Sequence, residues 1–286
     1  MNVCRDAIAE TRTGTDAPHP LTRLLRLGRP LVMGILNITP DSFSDGGRFF
    51  DPALAIAQAQ RMVDEGADLL DVGAESTRPY GGAAPVSADE EWRRLAPVLD
   101  AITRLGAPVS IDTMKARVAG RALDAGAAIV NDVWGLQRDA DMAATAAAHG
   151  AGLVIMHNRD SADPTIDILA EVESFFAHSL DLADAAGVAH DRIVLDPGIG
   201  FGKTPHQSIL LLARLGRLTR FGLPLLVGLS RKRFIASVSP SEPNQRLGGS
   251  LAANLAAARA GAAILRVHDV AETVQALRVT AAIEEA

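Results

Sequence analysis

The sequence predicts an α/β fold, a single (β/α)8 barrel of the TIM type, with its active site at the C-terminal face of the strands. Eight short apolar runs rich in Val, Ile and Leu alternate with longer stretches of helical periodicity, which is typical of parallel strands joined by helices. The repeat is about 32 residues long, which matches a barrel of about 250 residues. A doubly wound sheet would place a G-x-G-x-x-G turn after its first strand, and the segment 37–47, NITPDSFSDGG, has no such spacing.

The apolar runs and the stretches between them give the expected elements in chain order. The predicted strands are 31–36, 69–72, 109–111, 129–130, 153–156, 193–195, 225–227 and 264–267. Between the strands, apolar residues recur at spacings of three and four, as at Trp92, Leu95 and Leu99. This spacing is typical of an amphipathic helix that lies on a sheet. We therefore expect a helix after every strand.

Composition and charge bound the domain organisation and the class of protein. Residues 1–28 are expected to form a flexible N-terminal extension, and residues 29–286 one barrel domain. The net charge of −6 argues against a nucleic-acid binder. The single cysteine, Cys4, excludes a disulfide framework and a thiolate zinc cluster. Residues 1–20 lack the apolar core of a signal peptide and no long apolar run follows, so we expect a cytoplasmic protein that does not interact with membranes.

Polar residues interrupt the apolar pattern where each predicted strand ends. They are Asn37, Asp71, Asp112, Asn131, Asp132, His157, Asp196, Ser230, Lys232, Arg266 and His268. Asp and Asn are good helix caps, which would explain one or two of them but not a polar residue at every strand. Because the C-terminal ends of barrel strands surround one mouth, these side chains are predicted to converge on a single site.

The predicted site has a cationic end and an acceptor end. Arg266 and His268 are two residues apart on an extended segment, so they point to the same side and can bind an anion. Arg78, in the loop after the second strand, can add a guanidinium fork that suits phosphate. The carboxylate and amide groups of Asp112, Asn131 and Asp196 suit a flat heterocycle with several N–H groups.

The segment 197–204, PGIGFGKT, resembles a phosphate-binding loop but begins with Pro197, where that loop needs a glycine with a free N–H. We interpret Gly198, Gly200 and Gly202 as positions where the backbone turns tightly beside a ligand. His157, after the fifth strand, is equally compatible with a place in the mouth and with a structural role.

Seven motifs, in this order along the chain, resemble those of the dihydropteroate synthase family. They are GILNITPDSFSDGG from Gly34, DVGAESTRP from Asp71, SIDT from Ser110, IVND from Ile129, DPGIGFGK from Asp196, SRK from Ser230 and RVHD from Arg266. The resemblance runs from Leu31 to the C-terminus. It implies a transferase of folate biosynthesis that joins 6-hydroxymethyl-7,8-dihydropterin diphosphate to p-aminobenzoate, releases pyrophosphate, requires Mg²⁺ and is a target of sulfonamides. It also suggests a homodimer.

The resemblance assigns a role to each motif residue. It places Asn37 on Mg²⁺ and on the pyrophosphate, which Arg78, Arg266 and His268 also bind. By the same resemblance, the pterin ring is bound by Asp112, Asn131, Met156, Asp196, Phe201 and Lys232. The p-aminobenzoate pocket is formed by Phe43, Thr77, Pro79, Phe201 and Arg233. Asp41, Asp45, Arg78, Asp112 and Lys232 are the expected catalytic residues.

Three departures from the family pattern leave loops open to question. Tyr80, Gly81 and Gly82 follow Pro79 in the second loop, and the fifth loop after His157 lacks the family's usual residues. Arg233 replaces a serine that meets the p-aminobenzoate carboxylate, and an outward-turned Arg233 is favoured because Lys232 would repel it. Two alternatives remain: a pterin-binding methyltransferase domain, which needs no pyrophosphate clamp, and a catalytically silent paralogue.

Overall fold

Eight parallel strands form a closed barrel in the computed structural model, which describes residues 17–39, 51–75 and 86–286. The strands are β1 Leu31–Asn37, β2 Leu69–Gly73, β3 Val109–Asp112, β4 Ile129–Asp132, β5 Gly152–Met156, β6 Ile193–Asp196, β7 Leu225–Gly228 and β8 Ala262–Val267. Each strand pairs with the next, and β8 closes the barrel on β1. The predicted fold class and all eight predicted strands are confirmed.

One helix, α1, precedes the strands, and the others follow them and cover the barrel from outside. They are α1 Pro20–Leu25, α2 Pro52–Asp64, α3 Ala88–Ile102, α4 Ala116–Asp124, α5 Met142–Ala148, α6 Ile168–Ala185, α7 Pro205–Ala213, α8 Arg233–Val238, α9 Leu247–Arg259 and α10 Val270–Glu284. Side-chain caps fix where several begin: Asp51 accepts from Ala53 N–H, and Thr204 forms a capping box with Gln207. None of the helices among the described residues combines the length and the apolar character needed to cross a bilayer.

Strand residues alternate between two apolar clusters, because successive side chains point to opposite faces. Outward-facing residues such as Val72, Val130 and Leu265 pack against the helices. Inward-facing residues form a second cluster at the N-terminal end of the barrel: Leu31, Met33, Leu69, Ile129, Val154, Val194, Leu226 and Ile264. This inner layer supports the side chains at the next inward-facing position, two residues further along each strand.

The N-terminal extension differs from the prediction at its second half. Residues 20–25 form helix α1, whose Leu21 is fully buried in the inner cluster and closes the N-terminal end of the barrel. Thr22 Oγ1 donates to Asp191 O at 3.1 Å, and a ring nitrogen of His19 lies 3.1 Å from Ala128 O. The expectation of a loose segment is wrong for this part, because a barrel end that exposes apolar side chains is stabilised by a plug. Residues 1–16 lie outside the described part of the chain.

Candidate active site

The candidate site stands on the inner apolar layer of the barrel, one inward position further along the strands. Asp71 follows Leu69, Asn131 follows Ile129 and Asp196 follows Val194, each by two residues, so each points into the barrel mouth. The strand register also places neighbouring strand ends side by side around the rim: Asn37 pairs with Gly73, Gly73 with Asp112, and Asp112 with Asn131. The strand-end polar residues therefore converge on one mouth, as predicted from their spacing.

An ionic network centred on Arg266 crosses the mouth. Arg266 Nε donates to Asp71 Oδ2 at 2.5 Å, and Nη2 donates to Asp112 Oδ2 at 2.6 Å. Asn131 Nδ2 donates to the same Asp71 oxygen at 3.0 Å. Burial alone would lower the pKa of Arg266, but the two carboxylates raise it above its usual range. Arg266 thus remains charged at any pH at which the protein works.

Three buried oxygens of this network face no partner within the described part of the chain. They are Asp71 Oδ1, Asp112 Oδ1 and Asn131 Oδ1. A buried acceptor without a hydrogen bond is costly, at about 1–3 kcal/mol each, and native proteins rarely leave one. Burial raises the pKa of Asp112 to about 7, with Arg266 opposing and Asp71 adding to the rise. These oxygens form a set of acceptors for a ligand that carries several N–H groups.

Asp196 and Lys232 form the second polar pair of the mouth. Asp196 is buried and its Oδ1 accepts from Gly198 N–H at 2.7 Å. Burial lowers the pKa of Lys232 to about 7, and Asp196 partly restores it. Lys232 Nζ donates to Ile199 O and lies 4.3 Å from the centre of the Phe201 ring. The two residues influence each other electrostatically, and together they offer a carboxylate and an amino group, which suits the acceptor and donor edge of a heterocycle.

His268 is the first residue after β8, and it contacts Ser230, which lies in the loop after β7. Ser230 Oγ accepts from the His268 backbone N–H at 3.3 Å and lies 3.1 Å from His268 Nδ1. A hydroxyl that accepts from the backbone can donate to Nδ1, which leaves the imidazole proton on Nε2. In this tautomer Nε2–H is a donor, which suits an anion.

A buried charge cluster fixes the base of the second loop. Glu75 Oε1 accepts from Val86 N–H at 2.9 Å, so one carboxylate joins the two ends of the segment 76–85. The other oxygen of Glu75 accepts from Lys115, which also pairs with the fully buried Glu91. Burial raises the pKa of Glu91 and Lys115 opposes this rise. The segment that carries Arg78 thus begins and ends on a fixed stem.

The structure places the remaining predicted residues as follows. Met156 is buried at the end of β5 and pairs in register with Asp196, Asn37 is partly exposed at the end of β1, and Arg233 is exposed as the first residue of α8. Asp41, Phe43, Asp45, Thr77, Arg78 and Pro79 lie outside the described residues. The mouth brings Asp112, Asn131 and Arg266 into one network.

Sequence reasoning assigned no role to three residues that the structure places in or beside the site. Asp71 and Ser230 were identified only as polar strand-end residues. For Asp71 the sequence does contain a signal, because it lies two residues after the apolar Leu69 and so faces the same side of the strand. The third residue is Lys203, which sequence reasoning included in a segment that resembles a phosphate-binding loop but lacks its first glycine, without giving the lysine a role of its own. His157, which the sequence left open, is fully buried against Phe175, with ring centres 4.8 Å apart, so its role is structural.

The described residues can supply only part of the coordination shell of a Mg²⁺ ion. Within the described ranges no group of three or more His, Cys, Asp or Glu side chains is arranged to hold a metal. Mg²⁺ is commonly bound through one or two protein oxygens, with water and substrate phosphates completing its shell. The amide oxygen of Asn37, at the rim and partly exposed, is compatible with such a site.

Comparison with known proteins agrees with this geometry. The profile of a family described as pterin binding enzymes matches residues 33–268. The dihydropteroate synthase of Bacillus subtilis is 46% identical over 243 residues, which cover 85% of this chain and 84% of that protein.

Two solved structures have the same fold and comparable identity. The dihydropteroate synthase of Clostridium difficile, determined in the presence of pteroic acid, has a TM-score of 0.85 and 48% identity, covering 89% of this chain and 97% of that one. That of Xanthomonas albilineans with 4-aminobenzoic acid has a TM-score of 0.86 and 45% identity, covering 91% and 95%. This chain therefore belongs to the pterin-binding enzyme family and, within it, to the dihydropteroate synthases.

Proposed function

We infer that this chain catalyses the dihydropteroate synthase reaction, the condensation of 6-hydroxymethyl-7,8-dihydropterin diphosphate with p-aminobenzoate to give 7,8-dihydropteroate and pyrophosphate. The observation that carries this conclusion is the set of buried acceptors in the mouth, Asp71, Asp112 and Asn131, beside the pair Asp196 and Lys232. The relatives that match nearly the whole chain are synthases, which favours this function over a methyltransferase domain.

The acceptor end binds the dihydropterin. A reduced pterin presents an exocyclic amine and ring N–H groups on one edge and a carbonyl beside them. The Asp196 carboxylate accepts from the amine and a ring N–H, and the Lys232 ammonium donates to the carbonyl. The oxygens of Asp112 and Asn131 accept the remaining N–H groups. Binding thereby satisfies acceptors that are buried without partners among the described residues.

The cationic end binds the diphosphate. His268 donates through Nε2–H in the tautomer in which its Nδ1 accepts from Ser230, and Arg266 remains positively charged. We propose that Asn37 holds Mg²⁺ there and that Arg78, outside the described residues, adds a guanidinium fork. Bound Mg²⁺ supplies charge neutralisation to the leaving pyrophosphate.

The chemical step is a substitution at the pterin methylene carbon. The carbon–oxygen bond to the diphosphate breaks and its electron pair leaves with pyrophosphate, while the amine nitrogen of p-aminobenzoate forms the new bond and loses a proton. Positive charge that develops on the dihydropterin is stabilised by the ionised carboxylates of Asp112 and Asp196, which are fixed in place before the reaction. We propose that Phe201, with Phe43, Thr77 and Pro79, contacts the p-aminobenzoate ring.

The proposed function is tested by a pyrophosphate-release assay with both substrates and Mg²⁺. We expect release that needs p-aminobenzoate, stops in excess chelator and gives stoichiometric dihydropteroate by mass spectrometry. A sulfonamide should compete with p-aminobenzoate. Asp196→Asn should lower kcat/KM by at least about 30-fold, since a charged hydrogen-bond acceptor is lost. Val238→Ala, which changes an exposed side chain of α8, is the control and should not alter kcat/KM.

Release that is independent of p-aminobenzoate, or pterin binding without any turnover, would contradict the proposed function. The second outcome would instead identify a silent pterin-binding paralogue. Equal release in excess chelator would refute the magnesium requirement alone. The homodimer expected from the family resemblance is a separate proposal, which sedimentation velocity over a range of protein concentrations tests directly.

A further inference from the structure

A lysine that takes no part in the chemistry above is buried beside the site. Lys203, at the end of the segment PGIGFGK, is only 2% exposed. Its Nζ lies 2.8 Å from His157 Nδ1, 2.8 Å from Gly198 O and 2.9 Å from Phe201 O. It also lies 3.3 Å from His157 O, so the amino group of Lys203, which has three N–H donors when protonated, is surrounded by at least four acceptors. The charge is thus held inside the protein by backbone carbonyls and one neutral imidazole.

Burial of this group is expensive, so its contacts require an explanation. Moving an ammonium group out of water costs several kcal/mol unless hydrogen bonds compensate. Burial lowers the pKa of Lys203 well below its usual value, and Asp196 opposes the change. Burial also lowers the pKa of His157 to about 2, so this imidazole is neutral and can accept a hydrogen bond from Lys203. An apolar side chain would fill the same space without the cost.

Two of these acceptors, Gly198 O and Phe201 O, belong to one short turn, Gly198–Gly202, and the other two belong to His157 in the loop after β5. The turn is packed closely against the loop after β5: a Cβ on Gly198 would lie 1.9 Å from His157 O, and Gly198 has φ +62°. Lys203 bonds the carbonyl at the start of this turn, the carbonyl of Phe201, and the His157 ring of the neighbouring loop. The ammonium group therefore joins the β5 and β6 loops at a point where no side chain of the turn could do so.

The same turn carries three contacts of the pterin end. Gly198 N–H donates to Asp196, Ile199 O accepts from Lys232, and the Phe201 ring lies under Lys232 Nζ. A shift of the turn would move all three contacts together. At the pyrophosphate end, the His268 ring and Ser230 Oγ are hydrogen-bond partners of each other.

We propose that Lys203 is a positioning residue for the reaction: an internal cation that holds the Gly198–Gly202 turn in the conformation in which Ile199 and Phe201 orient Lys232 toward the pterin. The role rests on the proposed function. It acts on the pterin end of the site alone, so Lys203 affects affinity for the pterin and leaves affinity for pyrophosphate unchanged.

The test is Lys203→Met, which keeps the length of the side chain and removes its charge and donors. We expect the KM for the dihydropterin diphosphate to rise at least about tenfold, while the inhibition constant of inorganic pyrophosphate stays within about twofold of wild type. Calorimetric titration with 6-hydroxymethylpterin reads the same end of the site without turnover, so failure of the proposed function is distinguished from failure of this one. Leu99→Ala, which leaves a cavity in the buried face of α3, is the control for lost stability.

Leu99→Ala should lower the thermal midpoint and leave both constants unchanged. If Lys203→Met binds the pterin as wild type does, or if its pyrophosphate constant rises in parallel, the positioning role is refuted. Should Lys203→Met fail to fold, the pair His157→Asn and His157→Leu replaces it. The Asn oxygen can accept from Lys203 and the Leu side chain cannot, so only His157→Leu should weaken pterin binding, and equal affinity in the two variants overturns the proposal.

Discussion

Replacement of Arg266 by Met should destabilise the protein as well as disable it. The Arg266 side chain is 17% exposed and pairs with two carboxylates, of which Asp71 is fully buried. Met keeps much of the apolar length, but it leaves both carboxylates without their cation. Removing one partner of a buried ion pair costs roughly 3–5 kcal/mol, because the remaining charge stays buried and uncompensated. At about 2–4 °C per kcal/mol, the thermal midpoint should fall by roughly 6–20 °C.

A double-mutant cycle with Asp71→Asn identifies the source of this loss. Arg266→Met leaves the Asp71 carboxylate without its cation, and Asp71→Asn leaves Arg266 with only Asp112 as a carboxylate partner, whereas the double variant leaves no unpaired charge at the Arg266–Asp71 contact. Urea unfolding measures the loss of unfolding free energy in each variant. We expect the sum of the losses in the two single variants to exceed the loss in the double variant by at least about 1 kcal/mol. Turnover, measured well below the thermal midpoint of each variant, should show that kcat/KM of Arg266→Met is lower by roughly 30-fold to several-thousand-fold.

Additive costs within about 0.5 kcal/mol would refute the reasoning, since residues in contact through a buried ion pair are expected to couple. A change in kcat/KM of less than threefold would place Arg266 outside the reacting site and leave it a purely structural residue. The control is Arg104→Met: Arg104 pairs with Asp100 on the exposed face of α3, where both side chains are about 70% exposed, and it should cost less than about 1 kcal/mol.

Three further predictions concern charge. Asp112, whose pKa burial raises from 3.8 to about 7, contributes stability that is fully present below pH 3.8 and is lost as pH rises through about 7. In urea titrations Asp112→Asn should lose less unfolding free energy than wild type over this range, by at least about 1 kcal/mol, and parallel curves would contradict this. The pH profile of kcat/KM for the pterin substrate should be bell-shaped near neutrality, because Asp112 must be ionised and Lys232, with its pKa lowered by burial to about 7, must be protonated. Lys232→Arg should lose the alkaline limb, and an unchanged limb would assign it to another group. Arg233→Ser should change the KM for p-aminobenzoate by less than about threefold, because Arg233 is exposed; a tenfold rise with an unchanged pterin KM would show that Arg233 binds the carboxylate.

The barrel could be predicted from the sequence because each of its strands is a local apolar run. Strand ends were less certain: β4 extends to Asp132, two residues beyond the predicted end, because Asn131 and Asp132 still pair with β5. A polar residue ends an apolar pattern but does not end a hydrogen-bonded ladder. The inward direction of Asp71, Asn131 and Asp196 follows from a period of two.

The partners across the mouth could not be predicted from the sequence. Asp71 on β2 and Arg266 on β8 both flank β1, which pairs with them at Ile35 and Met33. Their contact depends on the stagger of the strands around the closed barrel, a property of the whole sheet and of no single segment. Helix α1 was missed although Leu21, Leu24 and Leu25 recur at helical spacing, because a helix of six residues acquires its role only when the barrel end against which it packs is formed.

The arrangement of charge in the mouth also explains why one set of residues can bind a neutral ring beside a strong anion. Asp71 and Asp112 share the single guanidinium of Arg266, so this part of the network carries more negative than positive charge when both are ionised. Lys232 opposes the rise in the pKa of Asp196 that burial causes, so these two groups compensate each other electrostatically. Under the proposed function, the excess carboxylate would favour a cationic transition state at the pterin, while Arg266, His268 and Asn37 would bind the leaving anion. We propose that fixed counter-charges for both the developing cation and the leaving anion are what this site adds to the reaction in water.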